Sequence, residues 1–321
     1  MNITIIGPGA MGCLLAGFLN DTFGSTSANS GRAEHKVWLF DKNPVRSESL
    51  ARNGIRIDTD QGSRSTKVNI TTDPAQIGYA DTIFLCVKSY DTSAAIKLSL
   101  PIITPDTTVV SIQNGAGNAE KIVEMINAKQ IVCGITEHGS TTLGEGHIRH
   151  AGEGPTSLAP FVSEEVEQAS RAAELLNSAG FKTYIAGDTE SMIFSKLIVN
   201  AAINPLTALS NVRNGQLLEN PELRRIMSEA ATEAASVVKA KGIVLTYNNV
   251  TTEVENICRA TSNNISSMLQ DVRAGKRTEI DSITGVIVNE AHALNIKAPT
   301  NEMLLERIKK TEREKRETRR N

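Results

Sequence analysis

The sequence predicts an α/β chain in two domains, a parallel-sheet domain first and an all-helical domain after it. Three observations carry this expectation. Short apolar strand-like runs alternate with helical segments as far as Ala186 and then stop. A glycine-rich turn joins the first of these strands to the first helix. From Thr189 onward the residues read as helix almost throughout. At 321 residues the chain is too long for one ordinary core, so two domains are the natural division. The boundary is expected after Gly187, giving domains 1–187 and 188–321.

Asn2-Ile3-Thr4-Ile5-Ile6 reads as a short buried strand. It runs into Gly7-Pro8-Gly9-Ala10-Met11-Gly12, followed by an apolar helix from Cys13 to Asn20. This is G-x-G-x-x-G in the context it requires, a strand before and a helix after. Gly7 allows the tight turn, Gly9 lets the backbone approach a pyrophosphate, and Gly12 lets helix and strand pack closely. The helix N-terminus offers unpaired N–H groups and a positive dipole end to phosphates. The first domain is therefore read as Rossmann-type and NAD(P)-binding, with Gly7 to Gly12 as cofactor contacts.

Thr22 to Lys36 is polar and rich in Ser, Asn and Gly, and is expected to be an exposed loop before the second strand, Val37 to Phe40. Asp41-Lys42 closes that strand. An acid here serves the ribose hydroxyls of NAD, a cation the 2′-phosphate of NADP. With one of each side by side, both NADP(H) and NAD(H) stay open on these residues. Thr82 to Val87 and Thr108 to Ile112 are continuous apolar strands of the kind buried on both faces of a parallel sheet. Ligands in such sheets sit beyond the carboxyl ends of strands, which is where Lys88 and Asn114 fall. A β-rich stretch from Ile131 to Ala159 has glycines at hairpin positions, and Glu164 to Ala179 is a helix before a last strand, Lys182 to Ala186. His138, His147 and His150 lack acidic or thiol partners at ligand spacing, so no metal site is expected.

The second domain opens on Met192 to Pro205, apolar except for Lys196, Asn200 and Asn204. At i, i+4, i+8 these three share one helix face. An ammonium and two carboxamides on a helix that otherwise wants burial are expensive without partners. The stripe is expected to line a cleft and meet a polar ligand. Pro205 should end or kink this helix. Amphipathic helices follow over Pro221 to Lys241 and Thr251 to Asn264. Ser266 to Arg273 leads to Thr278-Glu279-Ile280-Asp281, from which a helix continues to Leu294. Glu306 to Asn321, dense in charge of both signs, is expected to be a solvated terminal helix that frays.

A formal net charge of −2 and an aromatic content of 4% give no reason to expect a nucleic-acid partner. No uninterrupted apolar run is long enough to span a bilayer, and no signal peptide precedes the first strand. Cys13, Cys86, Cys133 and Cys258 show neither a CxxC pair nor zinc-ligand spacing. A cytoplasmic protein without membrane partners is expected by elimination.

The chain resembles the ketopantoate reductase (2-dehydropantoate 2-reductase) family. The resemblance rests on Gly7 to Gly12, Val87-Lys88-Ser89-Tyr90, Gln113-Asn114-Gly115, His150 to Gly154, Lys196 to Ala208, Ser266 to Asp271 and Thr278 to Asp281, in family order. The Lys/Asn helix and the Ser-Met-Leu-Gln-Asp…Thr-Glu-Ile-Asp pair are its specific parts; many dehydrogenases share the glycine turn. The resemblance implies a Rossmann-type domain and a helical substrate domain with the active site in the cleft between. It implies reduction of 2-dehydropantoate to D-pantoate, mostly with NADPH, on the route to pantothenate and coenzyme A. Lys196 would be the general acid and Glu279 its partner and a substrate-hydroxyl contact. Asn114, Asn200, Asn204 and Ser267 would hold substrate, a small 2-keto acid. Lys42 and Lys88 would lie near the cofactor. The long 22–36 insert and Asp41 depart from the family pattern, and a homodimer is left open.

Such a set suits hydride transfer to a keto acid. A lysine ammonium stabilises a developing alkoxide before giving up its proton, while serine and asparagine donate to a carboxylate. Two other readings compete. One is a related two-domain dehydrogenase acting on another 2-keto or 3-hydroxy acid. The other is a non-catalytic nucleotide sensor, which would keep the glycine turn but lose the polar stripe.

Overall fold

The structure, a computed structural model, describes residues 1–24 and 35–320. Two compact units emerge, Met1–Gln113 with Asn118–Thr189, and Asn114–Gly117 with Glu190–Asn321. The break at Thr189/Glu190 lies two residues from the position expected, and the four residues from Asn114 to Gly117 belong with the second unit.

In chain order the first unit comprises β1 (Asn2–Ile6), α1 (Ala10–Leu19), β2 (Lys36–Phe40), α2 (Pro44–Asn53), β3 (Ile55–Thr59), β4 (Gly62–Thr66), β5 (Asn69–Thr71), β6 (Ala80–Leu85), α3 (Thr92–Ser99), β7 (Ile103–Ser111), α4 (Asn118–Val123), β8 (Ile131–Thr136), β9 (Gly139–Gly144), β10 (His147–Gly152), β11 (Thr156–Pro160), α5 (Val166–Ser178) and β12 (Thr183–Ile185). Among the described residues the main sheet has eight strands in the order β12-β11-β8-β7-β6-β1-β2-β5. Only the β8–β11 pair is antiparallel. Ile3, Ile5, Phe84 and Val110 have no exposed surface, as expected of strands covered on both faces. Leu14, Leu15 and Leu19 of α1 join the same core.

The β-rich stretch from Ile131 does not stay together. β8 and β11 enter the main sheet, whereas the β9–β10 hairpin pairs with β3 in a second sheet of order β4-β3-β10-β9. The partner strands carry a short alternation, Ile55 and Ile57 buried with Arg56 exposed, which a reading for continuous apolar runs passes over. The three histidines pack here. The His138 and His150 rings stack, with Nδ1 and Nε2 at 2.9 Å, and burial pushes His138 down to about 4. His147 Nε2 lies 2.7 Å from Asp58 Oδ2. Most of the loop expected over 22–36 lies outside the described residues; Asn20–Gly24 forms a π-helical turn and Lys36 opens β2. Cys13, Cys86, Cys133 and Cys258 are free, and burial pushes the Cys13, Cys133 and Cys258 thiols up to about 12.

The second unit holds α6 (Thr189–Ser210), α7 (Gln216–Glu219), α8 (Pro221–Ala240), α9 (Val250–Ala260), α10 (Ser267–Arg273), α11 (Thr284–Ala293) and α12 (Pro299–Arg320). Leu197, Ile198, Ala201 and Ala202 of α6 are buried against Met227 and Ala230 of α8, Val254 of α9 and Ile308 of α12 in one core. Three expectations change. Pro205 does not end the first helix, which continues to Ser210. Residues 201–208 on both sides of the proline are buried in the core, and this packing holds the helix through Pro205. Thr278 to Ile283 is a turn, and α11 starts only at Thr284. The charged C-terminal run belongs to a helix whose Leu304 and Ile308 are buried in the core. α6 itself is long and apolar enough to cross a bilayer by length and composition, a test that Met192 to Pro205 alone does not meet; it is mostly buried inside the protein.

α12 is anchored at its start. The Thr300 and Asn301 N–H groups donate to the two Glu233 carboxylate oxygens at 3.0 Å, and the buried Asn301 carboxamide donates to the Ala230 carbonyl at 3.0 Å. Asn301→Ala removes the buried carboxamide's bonds to the Ala230 carbonyl and to Glu233, while the main-chain bonds to Glu233 remain. It is expected to cost about 1–3 kcal/mol of stability, read as a lower urea midpoint at unchanged slope.

Candidate active site

The chain runs from β1 out to β2 and β5, then returns to build β6, β7 and β8 on the other side of β1. The order reverses between β1 and β6, and the crevice beyond their carboxyl ends is where doubly wound sheets bind ligands. Gly7–Gly12 follows β1 and Lys88 follows β6. A Cβ on Gly12 would sit 1.9 Å from the Gly7 oxygen, so only glycine lets α1 come this close. A Cβ on Gly9 would meet no described atom within 4 Å. Gly9 is exposed, with extended φ −74° and ψ −174°, at the N-cap of α1. Pro8 is buried behind it, and Ala10 and Met11 open the helix half-buried. Open space before unpaired helix N–H groups fits a pyrophosphate.

Beyond β2 the paired ambiguity of Asp41 and Lys42 resolves into two different environments. Asp41 is 3% exposed, and both its oxygens accept from Arg46, at 2.6 Å from Nε and 2.7 Å from Nη2. This fork places a guanidinium beside the strand end. The sequence reading missed Arg46, whose signal was its position in the first turn of α2. Lys42 is largely exposed, with Nζ 2.9 Å from Asp91 Oδ1. Half-buried Lys88 carries the loop after β6. Gln113 orders that loop by donating to the Val87 carbonyl at 2.8 Å and the Thr92 hydroxyl at 2.9 Å.

The remaining candidates all lie in the second unit. Lys196 and Asn200 are half-buried and Asn204 is buried along α6. The residue before Lys196 is tethered: Ser195 Oγ accepts from the Thr246 N–H at 2.9 Å, and its carbonyl accepts from the Tyr247 hydroxyl at 3.1 Å. At the other end of the stripe, Thr207 Oγ1 and Ser266 Oγ are 2.7 Å apart, both buried. Ser266, not Ser267, caps α10 by accepting from the Leu269 N–H at 3.1 Å. Ser267 is the first residue of α10, directly after the Ser266 that meets Thr207 of α6.

The segment that begins with Asn114 meets the Glu279 turn through the main chain of Ala116. The Ala116 N–H donates to the Ser282 carbonyl at 2.9 Å, and the Ser282 N–H donates to the Glu279 carbonyl at 3.1 Å. Gly115 between them has φ +89°, and a Cβ there would lie 2.5 Å from the Ser282 oxygen. Glu279 is 6% exposed. The structure thus joins the segment after Asn114 to the turn that carries Glu279, and the residue before Ser267 to Thr207 on α6, and places the glycine turn, Asp41, Lys42 and Lys88 at strand ends of the first unit. Among the described residues no group of three or more His, Cys, Asp or Glu is placed to hold a metal ion.

A doubly wound unit with a phosphate-fitting turn at its switch point, with a helical unit bearing a lysine–carboxamide stripe, defines a two-domain dehydrogenase of the nicotinamide-nucleotide class. The family model described as "Ketopantoate reductase PanE/ApbA" matches residues 3–163, and "Ketopantoate reductase PanE/ApbA C terminal" matches residues 188–312. The chain belongs to the ketopantoate reductase family. It is 30% identical to the 2-dehydropantoate 2-reductase of Halobacterium salinarum over 98% of this chain and 100% of that one. A PanE/ApbA family ketopantoate reductase from Ralstonia eutropha JMP134 superimposes with a TM-score of 0.85 at 27% identity, over 98% of this chain and 100% of the other. A D-mandelate dehydrogenase solved with NADH and anilino(oxo)acetate shares the fold at a TM-score of 0.88 and 22% identity, over 98% and 100% of the two chains.

The two glycines make opposite predictions. Gly9→Val fits extended backbone and open space, so it should fold normally yet abolish nucleotide binding. Gly12→Ala should destabilise the first unit outright. Thermal unfolding and nucleotide titration on both variants check the pair; unchanged nucleotide affinity in folded Gly9→Val contradicts the assignment.

Proposed function

We propose that this chain catalyses the NADPH-dependent reduction of 2-dehydropantoate to D-pantoate, a step toward pantothenate and coenzyme A. What carries the reading is the constellation of Lys196, Asn200, Asn204, Ser267, Glu279 and Asn114, gathered in the second unit on a helix, a helix start and a turn. Family membership and the names of the relatives support it. A cytoplasmic location goes with the same reading.

When bound, the nicotinamide supplies the hydride; Gly7–Gly12, Lys42 and Lys88 would hold the nucleotide. Lys196 donates a hydrogen bond from its ammonium to the keto oxygen of the substrate. As negative charge develops there, the ammonium stabilises it and then passes a proton from Nζ to that oxygen. Glu279 accepts from the substrate hydroxyl and stands as counter-charge to Lys196. The Ser267 hydroxyl and the carboxamides of Asn114, Asn200 and Asn204 donate to the carboxylate and orient it.

The preference for NADPH over NADH has its support at the end of β2. Asp41, which would serve the ribose hydroxyls of NADH, has both oxygens engaged by Arg46. Exposed Lys42, paired with Asp91 at 2.9 Å, would be the cation for a 2′-phosphate, with the Arg46 guanidinium beside the same strand end. Lys42→Ala should weaken NADPH much more than NADH, by roughly tenfold to hundredfold for a contact of about 1.5–3 kcal/mol. A wild-type preference for NADH, measured by titration of both nucleotides, reverses this assignment.

Lys196→Ala decides the mechanism. It should lower kcat with ketopantoate by about 10²- to 10⁴-fold, the usual worth of a positioned general acid. NADPH affinity should hardly change. Near-wild-type turnover in the folded variant contradicts the assignment of the acid.

A further inference from the structure

Glu279 sits on the Thr278 to Ile283 turn, and the charged helix α12 grips this turn at both ends. The Thr278 N–H donates to Glu312 Oε1 at 2.6 Å. Three residues earlier on α12, Lys309 Nζ lies 2.7 Å from Asp281 Oδ1, whose other oxygen meets Arg277 at 3.2 Å. Residues 309 and 312 share one face of a helix. An acid on that face therefore takes the first amide of the turn, and a base on it takes the acid two residues past Glu279. The contacts are complementary and oriented, unlike those of a solvated charged tail.

Burial makes the Glu312 end of the grip stiff, whereas Lys309 and Asp281 are exposed. Thr278 is 1% exposed, and its hydroxyl also accepts from the Ile280 N–H at 3.2 Å. The Glu312 side chain is 11% exposed although its neighbours on α12 are charged and open. A charge-assisted hydrogen bond at this distance, shielded from water, is stronger than a neutral one. α12 is itself fixed, by Glu233 and Asn301 at its start and by Leu304 and Ile308 in the core. A turn held from a fixed helix keeps one orientation, and Glu279 with it.

We infer that Glu312, assisted by Lys309, is a positioning residue for Glu279: its carboxylate holds the Thr278–Asp281 turn so that Glu279 presents its own carboxylate to the substrate. The inference rests on the role given to Glu279 above. Glu312 touches no substrate and moves no proton.

The test compares Glu312→Ala with Glu312→Gln in the full chain, measuring KM and kcat for ketopantoate and the Kd of NADPH. Alanine removes the acceptor for the Thr278 N–H, whereas the glutamine amide oxygen retains it. Glu312→Ala should raise KM about tenfold and lower kcat by a similar factor, as loss of orientation does, with the NADPH Kd unchanged. Glu312→Gln should stay within about threefold of wild type on both constants. Should the alanine variant not fold, Glu312→Asp, which keeps the charge but falls one methylene short, is expected to show the same KM rise.

Wild-type constants for Glu312→Ala overturn the inference. So does a loss in which KM is unchanged and kcat falls only with the fraction of protein that binds NADPH, which marks a purely structural residue. Lys196→Ala separates the two levels of the reading. If it is inactive while Glu312→Ala is normal, only the positioning role fails. If Lys196→Ala turns over normally, the role of the polar constellation fails first.

Discussion

A main-chain hydrogen bond of 2.9 Å, from the Ala116 N–H to the Ser282 carbonyl, ties the segment after β7 to the turn that carries Glu279. It requires Gly115, because the bond draws the two backbones closer than any Cβ allows. Through it Asn114, a residue that follows a sheet strand, is counted with the helical unit and set beside the Glu279 turn. Around it two further tethers act on α6, the Ser195–Thr246 bond before Lys196 and the Thr207–Ser266 bond beyond Asn204. A buried helix can carry an ammonium and two carboxamides only with polar company, and these tethers fix the helix on either side of them.

The nucleotide half obeys a different constraint. Its sheet is buried on both faces, so polar ligands are admitted only at strand ends, and the reversal of strand order at β1 leaves one crevice there. Gly12 brings α1 against that crevice, and Gly9 leaves its mouth open. Asp41 illustrates how one added partner changes a reading. Alone, a carboxylate at this strand end serves ribose hydroxyls. Locked to Arg46 by two short bonds, it instead becomes the seat of a cation.

Much of this was legible in the sequence, and what was not has physical reasons. The glycine turn, the doubly buried strands and the i, i+4, i+8 stripe are local patterns, and local patterns survive in one dimension. Pro205 is locally a helix breaker, yet burial of α6 on both sides of it overrides it. Ser266 caps α10 through a bond to the Leu269 N–H three residues on, which is local; its contact with the Thr207 hydroxyl, 59 residues away, is what one dimension hides. The second sheet needs β3–β4 to find β9–β10 across nearly a hundred residues, a pairing that alternation alone does not specify. The charged C-terminal run reads as solvated because each charge taken singly is; its partners, Thr278 and Asp281, are some thirty residues distant.

The claim that joins these parts is that the chain reduces ketopantoate with NADPH. Its most direct test is steady-state NADPH oxidation by the wild-type enzyme, comparing kcat/KM for ketopantoate with a panel of other 2-keto acids. A site that pairs both the carboxylate and the hydroxyl of its substrate should favour ketopantoate by about 10² or more over acids lacking that hydroxyl. An equal or higher kcat/KM for another 2-keto acid, or no ketopantoate-dependent oxidation of NADPH, contradicts the account.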